Sequence, residues 1–352
     1  MRWTVFCRVI DNLGDAGVCW RLAADLASRG EMVQLVIDDA SPLHRIAPRG
    51  APGVEVLGWH DGLDFEGAEV VIEAFGCNPP ERYVEQMAKT IPPPRWINLE
   101  YLSAEAHATR SHALPSPQWH GAGRGLTKWF FYPGFAAATG GLLREPGLLR
   151  TRAAFDRDAW LRALHLDRGE RERERVSVLF CYAHPGVEAW LGALSDQPTL
   201  LLVPQGPAQA AVQAALGPDL QRGLLRAVML PWLTQADFDR VLWCSDLSVV
   251  RGEDSLVRAL WAGAPFVWQL YPQHDGAHLR KVQAFVARWR ADSPAPPADV
   301  DAWMQWWNAP GVQPAALPPL APWRDAVHGW REHLAAQSDL CSRLLGFVAA
   351  KR

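Results

Sequence analysis

The sequence predicts an α/β fold built from two Rossmann-like domains. Short apolar runs alternate with amphipathic segments, and the alternation occurs in two series separated by a stretch rich in charged residues. The chain has 352 residues, more than the ~100–200 that a single domain usually contains. We therefore expect one parallel sheet with helices on both faces in each half of the chain.

The first series contains five expected strands and two expected helices. Its opening run, WTVFCRVI, is short, apolar and rich in β-branched and aromatic residues, as is typical of a buried strand. The next segment places Val18, Leu22 and Leu26 on one face at helical spacing and ends at Gly30. The remaining expected strands are MVQLVIDD, GVEVLGW, AEVVIEAF and RWINLEYL, with the helix PPERYVEQMAK between the last two.

The second series begins near Val176. Its expected strands are VSVLFCY, TLLLVP, LLRAVML, LSVV and PFVWQL, and its expected helices are VEAWLGAL, PAQAAVQAAL, TQADFDRVLWCS and SLVRALWAG. Thr234 precedes the third of these helices and has a side chain suited to an N-cap. A proline-rich stretch then leads into a final helix from about residue 325 to 352. We predict an N-terminal domain over 1–166 that this helix joins, the linker LDRGERERERV, and a C-terminal domain over 176–322.

Composition and charge narrow the range of partners. The formal net charge is -3, which does not favour binding to nucleic acid or to an anionic membrane. No apolar run approaches the ~20 residues needed to cross a bilayer, and the first residues resemble a strand rather than a signal peptide. We expect a cytoplasmic protein whose six scattered cysteines are reduced core thiols.

Two Rossmann-like domains, a linker and a long final helix are the organisation of a GT-B glycosyltransferase. In that fold the domains face a cleft, and the C-terminal helix packs back on the N-terminal domain. An NAD enzyme or a sugar-nucleotide epimerase can share this organisation. However, the first turn offers only Gly14 and Gly17, where a dinucleotide needs G-x-G-x-x-G, and it lacks the lysine of a P-loop. Asp38 and Asp39 end the second strand where a Rossmann fold binds ribose, a weak likeness without those glycines.

The first turn carries two acidic residues where a phosphate would otherwise be expected. Asp11 and Asp15 lie at the carboxyl end of the first strand, the edge at which such sheets bind ligands. Asp15 alone could be a helix N-cap, but that would leave Asp11 unexplained. Two carboxylates could hold a cation or remove a proton. We interpret the turn as an acceptor site, with Asn12, Gly14 and Gly17 in the vicinity of the acceptor or sugar.

The loop RGEDS in the second series indicates a donor site. Gly252 permits close backbone approach, and Asp254 or Ser255 is expected to cap the helix that follows. Amide groups at such a helix start can bind a diphosphate without a metal, and Arg251 could add positive charge. A carboxylate beside a phosphate would be repelled, so Glu253 is expected to have a function of its own.

These segments together resemble the bacterial protein-arginine rhamnosyltransferases that modify translation elongation factor P. The matching pieces are FCRVIDNLGDAGVCWRLA, FFYPGF, TGGLLRE, RGEDSLVRALWAG and YPQ, in family order from about residue 4 to 285. One departure is His274, which follows YPQ where the family commonly has an acidic residue. The resemblance implies an inverting enzyme that moves L-rhamnose from dTDP-β-L-rhamnose to one arginine of elongation factor P, with no metal and no other cofactor.

The resemblance also implies individual roles. Asp11 and Asp15 match the family's acidic pair, and Glu253 matches its diphosphate loop. Because a guanidinium arrives protonated, we expect these three residues to be catalytic, with Asp15 as the base and Asp11 as its orienting partner, or the reverse. The residues implied in donor binding are Phe180, Tyr182, Gln235, Phe238, Arg251, Gly252, Asp254, Ser255, Tyr271 and Gln273. Two alternatives stay open from the residues themselves: a GT-B enzyme with another nucleotide-sugar and a glycan or lipid acceptor, and a noncatalytic protein that recognises an arginine-bearing partner.

Overall fold

The computed structural model describes residues 1–11, 13–166, 174–293, 296–309, 311 and 316–351. The chain divides into two compact units. The first comprises Met1–Pro146 together with Ala335–Arg352, and the second comprises Gly147–Leu334.

The first unit is built on a seven-stranded sheet. Its strands are β1 (Arg2–Cys7), β2 (Met32–Ile37), β3 (Val54–Gly58), β4 (Val70–Ala74), β5 (Arg95–Leu99), β6 (Pro115–Pro117) and β7 (Thr127–Phe131). Its first four helices are α1 (Gly14–Ser28), α2 (Ser41–Ile46), α3 (Glu81–Lys89) and α4 (Ala106–Ser111). The strand order is β3-β2-β1-β4-β5-β7-β6, and every pair is parallel except β6 with β7. The chain reverses its winding between β1 and β4, so the loops after these two strands flank the ligand-binding edge of the sheet.

The second unit repeats this topology on a six-stranded sheet. Its strands are β8 (Arg175–Leu179), β9 (Thr199–Val203), β10 (Gln221–Arg222), β11 (Leu225–Met229), β12 (Leu247–Arg251) and β13 (Phe266–Gln269). Its helices are α5 (Leu148–Ala153), α6 (Arg157–Ala163), α7 (Val187–Leu194), α8 (Pro207–Leu216), α9 (Gln235–Cys244), α10 (Gly252–Ala262), α11 (Ala277–Asp292), α12 (Ala298–Trp306) and α13 (Leu320–Ala335). The order β10-β11-β9-β8-β12-β13 places the reversal between β8 and β12.

The division between the units differs from the predicted limits of 1–166 and 176–322. Helices α5 and α6 belong to the second unit, because they pack on α9 and its surroundings. Arg157 binds both carboxylate oxygens of Asp246, at 3.0 and 2.7 Å, and Phe155 packs edge-to-face against Trp243. Most of the stretch expected as a linker, residues 167–173, lies outside the described part of the chain.

The single helix expected from about residue 325 to 352 is two helices, α13 and α14 (Leu340–Ala350). Arg144 donates to the backbone carbonyls of Ala335, the last residue of α13, and of Gln337 in the loop that follows. Asp339 caps α14 by accepting from the amide of Ser342 at 2.9 Å. Helix α14 belongs to the first unit, whereas nearly all of α13 belongs to the second. Apolar side chains of α14 belong to the same core cluster as those of α1 and β7. The α14 residues in this cluster are Leu340, Cys341, Leu344 and Val348.

All six cysteines are buried, and none of them forms a disulfide among the described residues. Within the same residues, we find no helix with both the length and the apolar character needed to span a bilayer.

Candidate active site

The turn after β1 holds a buried carboxylate that faces its own loop. Asp15 is 3% exposed, and its Oδ2 accepts hydrogen bonds from the backbone amides of Ile10 and Asp11 at 2.8 and 2.9 Å. Helix α1 begins at Gly14, and its N-cap is Leu13, whose side chain has no polar atom. The N-cap interpretation of Asp15 is therefore wrong: its carboxylate organises the preceding loop instead of capping the helix.

Asp11 lies against the start of the same helix. A Cβ built on Gly14 would lie 2.8 Å from Oδ2 of Asp11, so any larger residue at this position would displace the carboxylate. The loop is also fixed from β2, since Oδ1 of Asp38 accepts from the amide of Val9 at 2.9 Å. Asp11 and Asp15 are thus brought together, as the sequence predicted, and Asp38 supports their loop.

Burial dominates the electrostatics of the turn. It raises the pKa of Asp15, and the charge of Asp11 adds to this effect, while hydrogen bonds from the amides of Asp11 and Ile10 oppose it. A carboxylate with a raised pKa is a stronger base than an ordinary surface aspartate. The same crowding of negative charge favours a bound cation.

Two aromatic residues that the sequence analysis missed lie beside Asp15. Phe75 follows β4 directly and Tyr101 follows β5, and their rings stack with centroids 4.2 Å apart and planes 10° apart. The Tyr101 hydroxyl lies 3.5 Å from Oδ1 of Asp15. The sequence did carry a signal for this pair. In EAFG and in LEYL, an aromatic residue follows the carboxyl end of a predicted strand, which is the edge where such sheets bind ligands.

In the second unit, five of the ten implied donor residues form one cluster around Arg251. Its guanidinium lies over the rings of Phe180 and Tyr182, at 4.6 and 4.7 Å from their centroids. Phe180 packs edge-to-face on Phe238, and Tyr182 does the same with Tyr271. Four elements that are distant in sequence therefore supply one surface at the reversal between β8 and β12.

Helix α10 begins earlier than predicted. It starts at Gly252, whose φ of +70° is the left-handed conformation that glycine tolerates best. Arg251 occupies the N-cap position, so the expected cap by Asp254 or Ser255 is wrong: both residues lie inside the first turns. The carbonyl of Gly252 accepts from Nε1 of Trp268 at 2.8 Å, which anchors the turn to β13.

Glu253 forms an ion pair with Lys281 of α11. The carboxylate oxygen and the ammonium nitrogen are 3.4 Å apart, and their side chains are 16% and 23% exposed. This cation, which the sequence analysis missed, reduces the repulsion expected between Glu253 and a diphosphate. Glu253 and Lys281 are 28 residues apart, so no local pattern indicated the pair.

Buried polar residues hold the loops after β8 and after β13 in place. Gln269, 1% exposed, accepts from the amide of Tyr182 through its side-chain oxygen at 2.8 Å. Nδ1 of His278 accepts from the amide of Gln273 at 3.0 Å. Asn308 accepts from the amide of Leu270 and donates to the carbonyl of Trp268. These contacts explain how exposed residues such as Tyr271, 61% exposed, keep a defined backbone.

The remaining predicted residues are scattered around these two groups. Gln235 is the first residue of α9, after Thr234, which caps that helix as predicted by accepting from the amide of Asp237. Ser255 is buried within α10. Gly17 is buried within α1 and donates its amide to the carbonyl of Leu13. Asn12 lies outside the described residues.

Solved structures with a similar fold confirm the predicted GT-B class. One, described as the structural basis for EarP-mediated arginine glycosylation of translation elongation factor EF-P, has a TM-score of 0.67 and 31% sequence identity, and covers 100% of this chain and 99% of that one. The spinosyn rhamnosyltransferase SpnG has a TM-score of 0.54 at 10% identity, covering 99% of each chain, and so supports the fold alone.

Sequence comparison extends the match to function. A protein-arginine rhamnosyltransferase of Pseudomonas aeruginosa is 42% identical over 376 aligned residues, which cover 99% of this chain and 98% of that protein. The family model for Elongation-Factor P (EF-P) rhamnosyltransferase EarP matches residues 3–349. The expected enzyme class is thereby confirmed, and the chain belongs to the EarP family of EF-P rhamnosyltransferases.

Proposed function

We propose that this protein transfers L-rhamnose from dTDP-β-L-rhamnose to an arginine side chain of elongation factor P, with inversion at the anomeric carbon and without a metal. The observation that carries the proposal is the pairing of Asp11 with the buried Asp15 in a chain of the EarP family. We place the reaction in the cytoplasm, where translation factors act.

The acceptor enters as a cation. A guanidinium group has a pKa above ~12, so it arrives protonated and is a poor nucleophile. Asp11 and Asp15 bind it through charge-assisted hydrogen bonds. Asp15 then accepts a proton from the attacking nitrogen while the new C–N bond forms, a step that its raised pKa favours. A hydroxyl acceptor would need one base and no cation pocket, so the paired carboxylates favour arginine over a glycan or lipid.

The donor supplies the leaving group. As the C–N bond forms, the bond from the anomeric carbon to the diphosphate breaks, and dTDP departs with its electron pair. The first amides of a helix have no hydrogen-bond partner within the helix, so they attract negative charge. The start of α10 therefore stabilises the leaving diphosphate, aided by the hydroxyl of Ser255. A single displacement inverts the anomeric carbon and needs no covalent nucleophile from the protein.

The aromatic cluster of the second unit fits the remaining parts of the donor. Phe180 and Phe238 pack edge-to-face, with Gln235 one turn before Phe238 on α9. We assign these residues to the thymine, and Tyr182, Tyr271 and Gln273 to the diphosphate and sugar. We assign Glu253, which is paired with Lys281, to a sugar hydroxyl or to the acceptor guanidinium.

The test is intact-mass analysis of elongation factor P after incubation with this protein and dTDP-rhamnose. We expect the mass gain of one deoxyhexose, located on an arginine by fragmentation, and the same gain in the presence of EDTA. No gain with dTDP-rhamnose, or an equal gain with an unrelated nucleotide-sugar, contradicts the proposed donor and acceptor. Transfer that stops in EDTA and returns with magnesium or manganese contradicts metal independence.

A further inference from the structure

The Phe75–Tyr101 pair lies at the reversal point of the first sheet, yet the mechanism above gives it no role. Both side chains are half-buried. One face of Tyr101 stacks on Phe75, and its hydroxyl lies within 3.5 Å of the Asp15 carboxylate. A core pair would be buried on all sides, so this arrangement points to the ligand-binding edge.

The backbone holds Phe75 in a conformation that bulky residues rarely adopt. Its φ is +58°, in the left-handed region. The Phe75 amide donates to the carbonyl of Leu99 at 2.7 Å, and the next amide, of Gly76, donates to Oδ1 of Asn98 at 3.1 Å. Asn98 in turn donates to Glu100 at 2.8 Å. A disfavoured backbone conformation that several hydrogen bonds hold in place is more common at functional sites than elsewhere. Here these bonds fix the position of the Phe75 ring.

The two oxygens of Asp15 have different surroundings. Oδ2 is held by the amides of Ile10 and Asp11, while Oδ1 faces the Tyr101 hydroxyl. The other titratable groups that act on this carboxylate are Asp11, which raises its pKa, and Cys19 of α1, whose own pKa Asp15 raises. Tyr101 is therefore the neutral donor that faces the oxygen left over by the loop.

We propose that Tyr101, held in place by Phe75, is a positioning residue that orients Oδ1 of Asp15 for proton transfer from the acceptor arginine. The proposal rests on the proposed function, in which Asp15 is the base. A hydroxyl that donates to a carboxylate stabilises its charged form, so Tyr101 lowers the pKa that burial raises. A donor–acceptor distance of 3.5 Å is long for such a bond, and we therefore expect a modest effect.

The test variant is Tyr101→Phe, which keeps the ring and its stacking and removes only the hydroxyl. The carboxyl carbon of Asp15 is followed by NMR in protein labelled with 13C-aspartate, with the resonance assigned by its loss in Asp15→Asn. We expect the pKa of Asp15 to rise. In the transfer assay the acid limb of the kcat profile should move to higher pH, with kcat reduced about three- to tenfold, as for a lost hydrogen bond, and KM unchanged.

The matched control is Tyr83→Phe. The Tyr83 hydroxyl is buried in the same unit and lies 3.1 Å from the Thr4 hydroxyl, so its removal should lower Tm without moving the Asp15 titration or the pH profile. Phe75→Leu keeps an apolar side chain at the same backbone position and removes the stacking face. It should move the titration in the same direction as Tyr101→Phe, by less.

An unchanged Asp15 titration in Tyr101→Phe would overturn the proposal. So would a higher KM with an unchanged kcat, because Tyr101 would then bind the acceptor instead of orienting the base. These results differ from failure of the proposed function. Full transfer by Asp15→Asn would remove the base itself, whereas loss of transfer in Asp15→Asn with wild-type behaviour of Tyr101→Phe would remove only the role of Tyr101.

Discussion

The turns after β1 and after β12 have the same topology and opposite electrostatics. Each follows a strand beside the reversal point of its sheet, and each leads into a helix with a carboxylate in its first turn. In the first unit, Asp15 is buried and held by backbone amides, and its pKa is raised. In the second, Glu253 is paired with Lys281, and Arg251 lies over two aromatic rings. The same strand–turn–helix geometry thus carries different side chains in the two units, and in the proposed function these side chains decide whether the turn binds a cation or an anion.

The largest expected effect comes from neutralising the first turn. Asp15→Asn and Asp11→Asn keep the size and shape of the side chain, and Asn can still accept the backbone amides through its oxygen. Because charge and proton affinity are lost, kcat for transfer to elongation factor P should fall ~10²–10⁴-fold, the usual contribution of a general base. Single-turnover kinetics followed by intact mass measures the loss.

Calorimetry with dTDP is the control for these two variants. The fold and the affinity for dTDP should stay near those of the wild type, since we assign the diphosphate to the second unit. Near-wild-type transfer by Asp15→Asn would eliminate Asp15 as the base and direct attention to Asp11 or Glu253.

The second prediction concerns the proposed donor site of the second unit. Ser255→Ala and Gln235→Ala should each weaken dTDP binding by about tenfold or more, because hydrogen bonds to charged or buried ligand groups are lost. Ser245→Ala is the matched control, as Ser245 is a buried serine of the same unit that donates to the carbonyl of Leu242. Equal loss of dTDP affinity in Ser255→Ala, Gln235→Ala and Asp15→Asn would end the distinction between the two turns.

The smallest expected effect tests the ion pair of Glu253. Lys281→Met removes the cation and keeps most of the apolar side chain, so kcat/KM for transfer should fall about three- to tenfold, in keeping with a partly buried pair. Arg280→Met is the control, since the adjacent Arg280 is 62% exposed and lies 4.0 Å from Asp275. The same decrease in both variants would mean that helix charge, and not the pairing with Glu253, is responsible.

The fold was largely predictable because its elements are defined locally. The segments VEAWLGAL and PAQAAVQAAL were predicted with the bounds that α7 and α8 have, since periodic apolar residues stop at serine or glycine. The start of α10 was not predicted correctly, because it depends on the left-handed φ of Gly252. Contacts between distant loops were also beyond local patterns: Tyr101 and Asp15 are 86 residues apart. The presence of two acidic residues in the first turn was therefore predictable from the sequence, but the residues that surround them in the folded protein were not.

Helix α14 has a consequence for synthesis of the protein. Its side chains complete the core of the first unit, although the whole second unit, Gly147–Leu334, precedes it in the chain. During translation, the second unit can emerge and fold as a continuous segment. The sheet of the first unit is synthesised earlier, but its core cannot be completed before α14 is synthesised. Until then, part of the apolar surface of the first unit stays exposed. The nascent chain is thus expected to be most dependent on chaperones during the interval between β7 and α14.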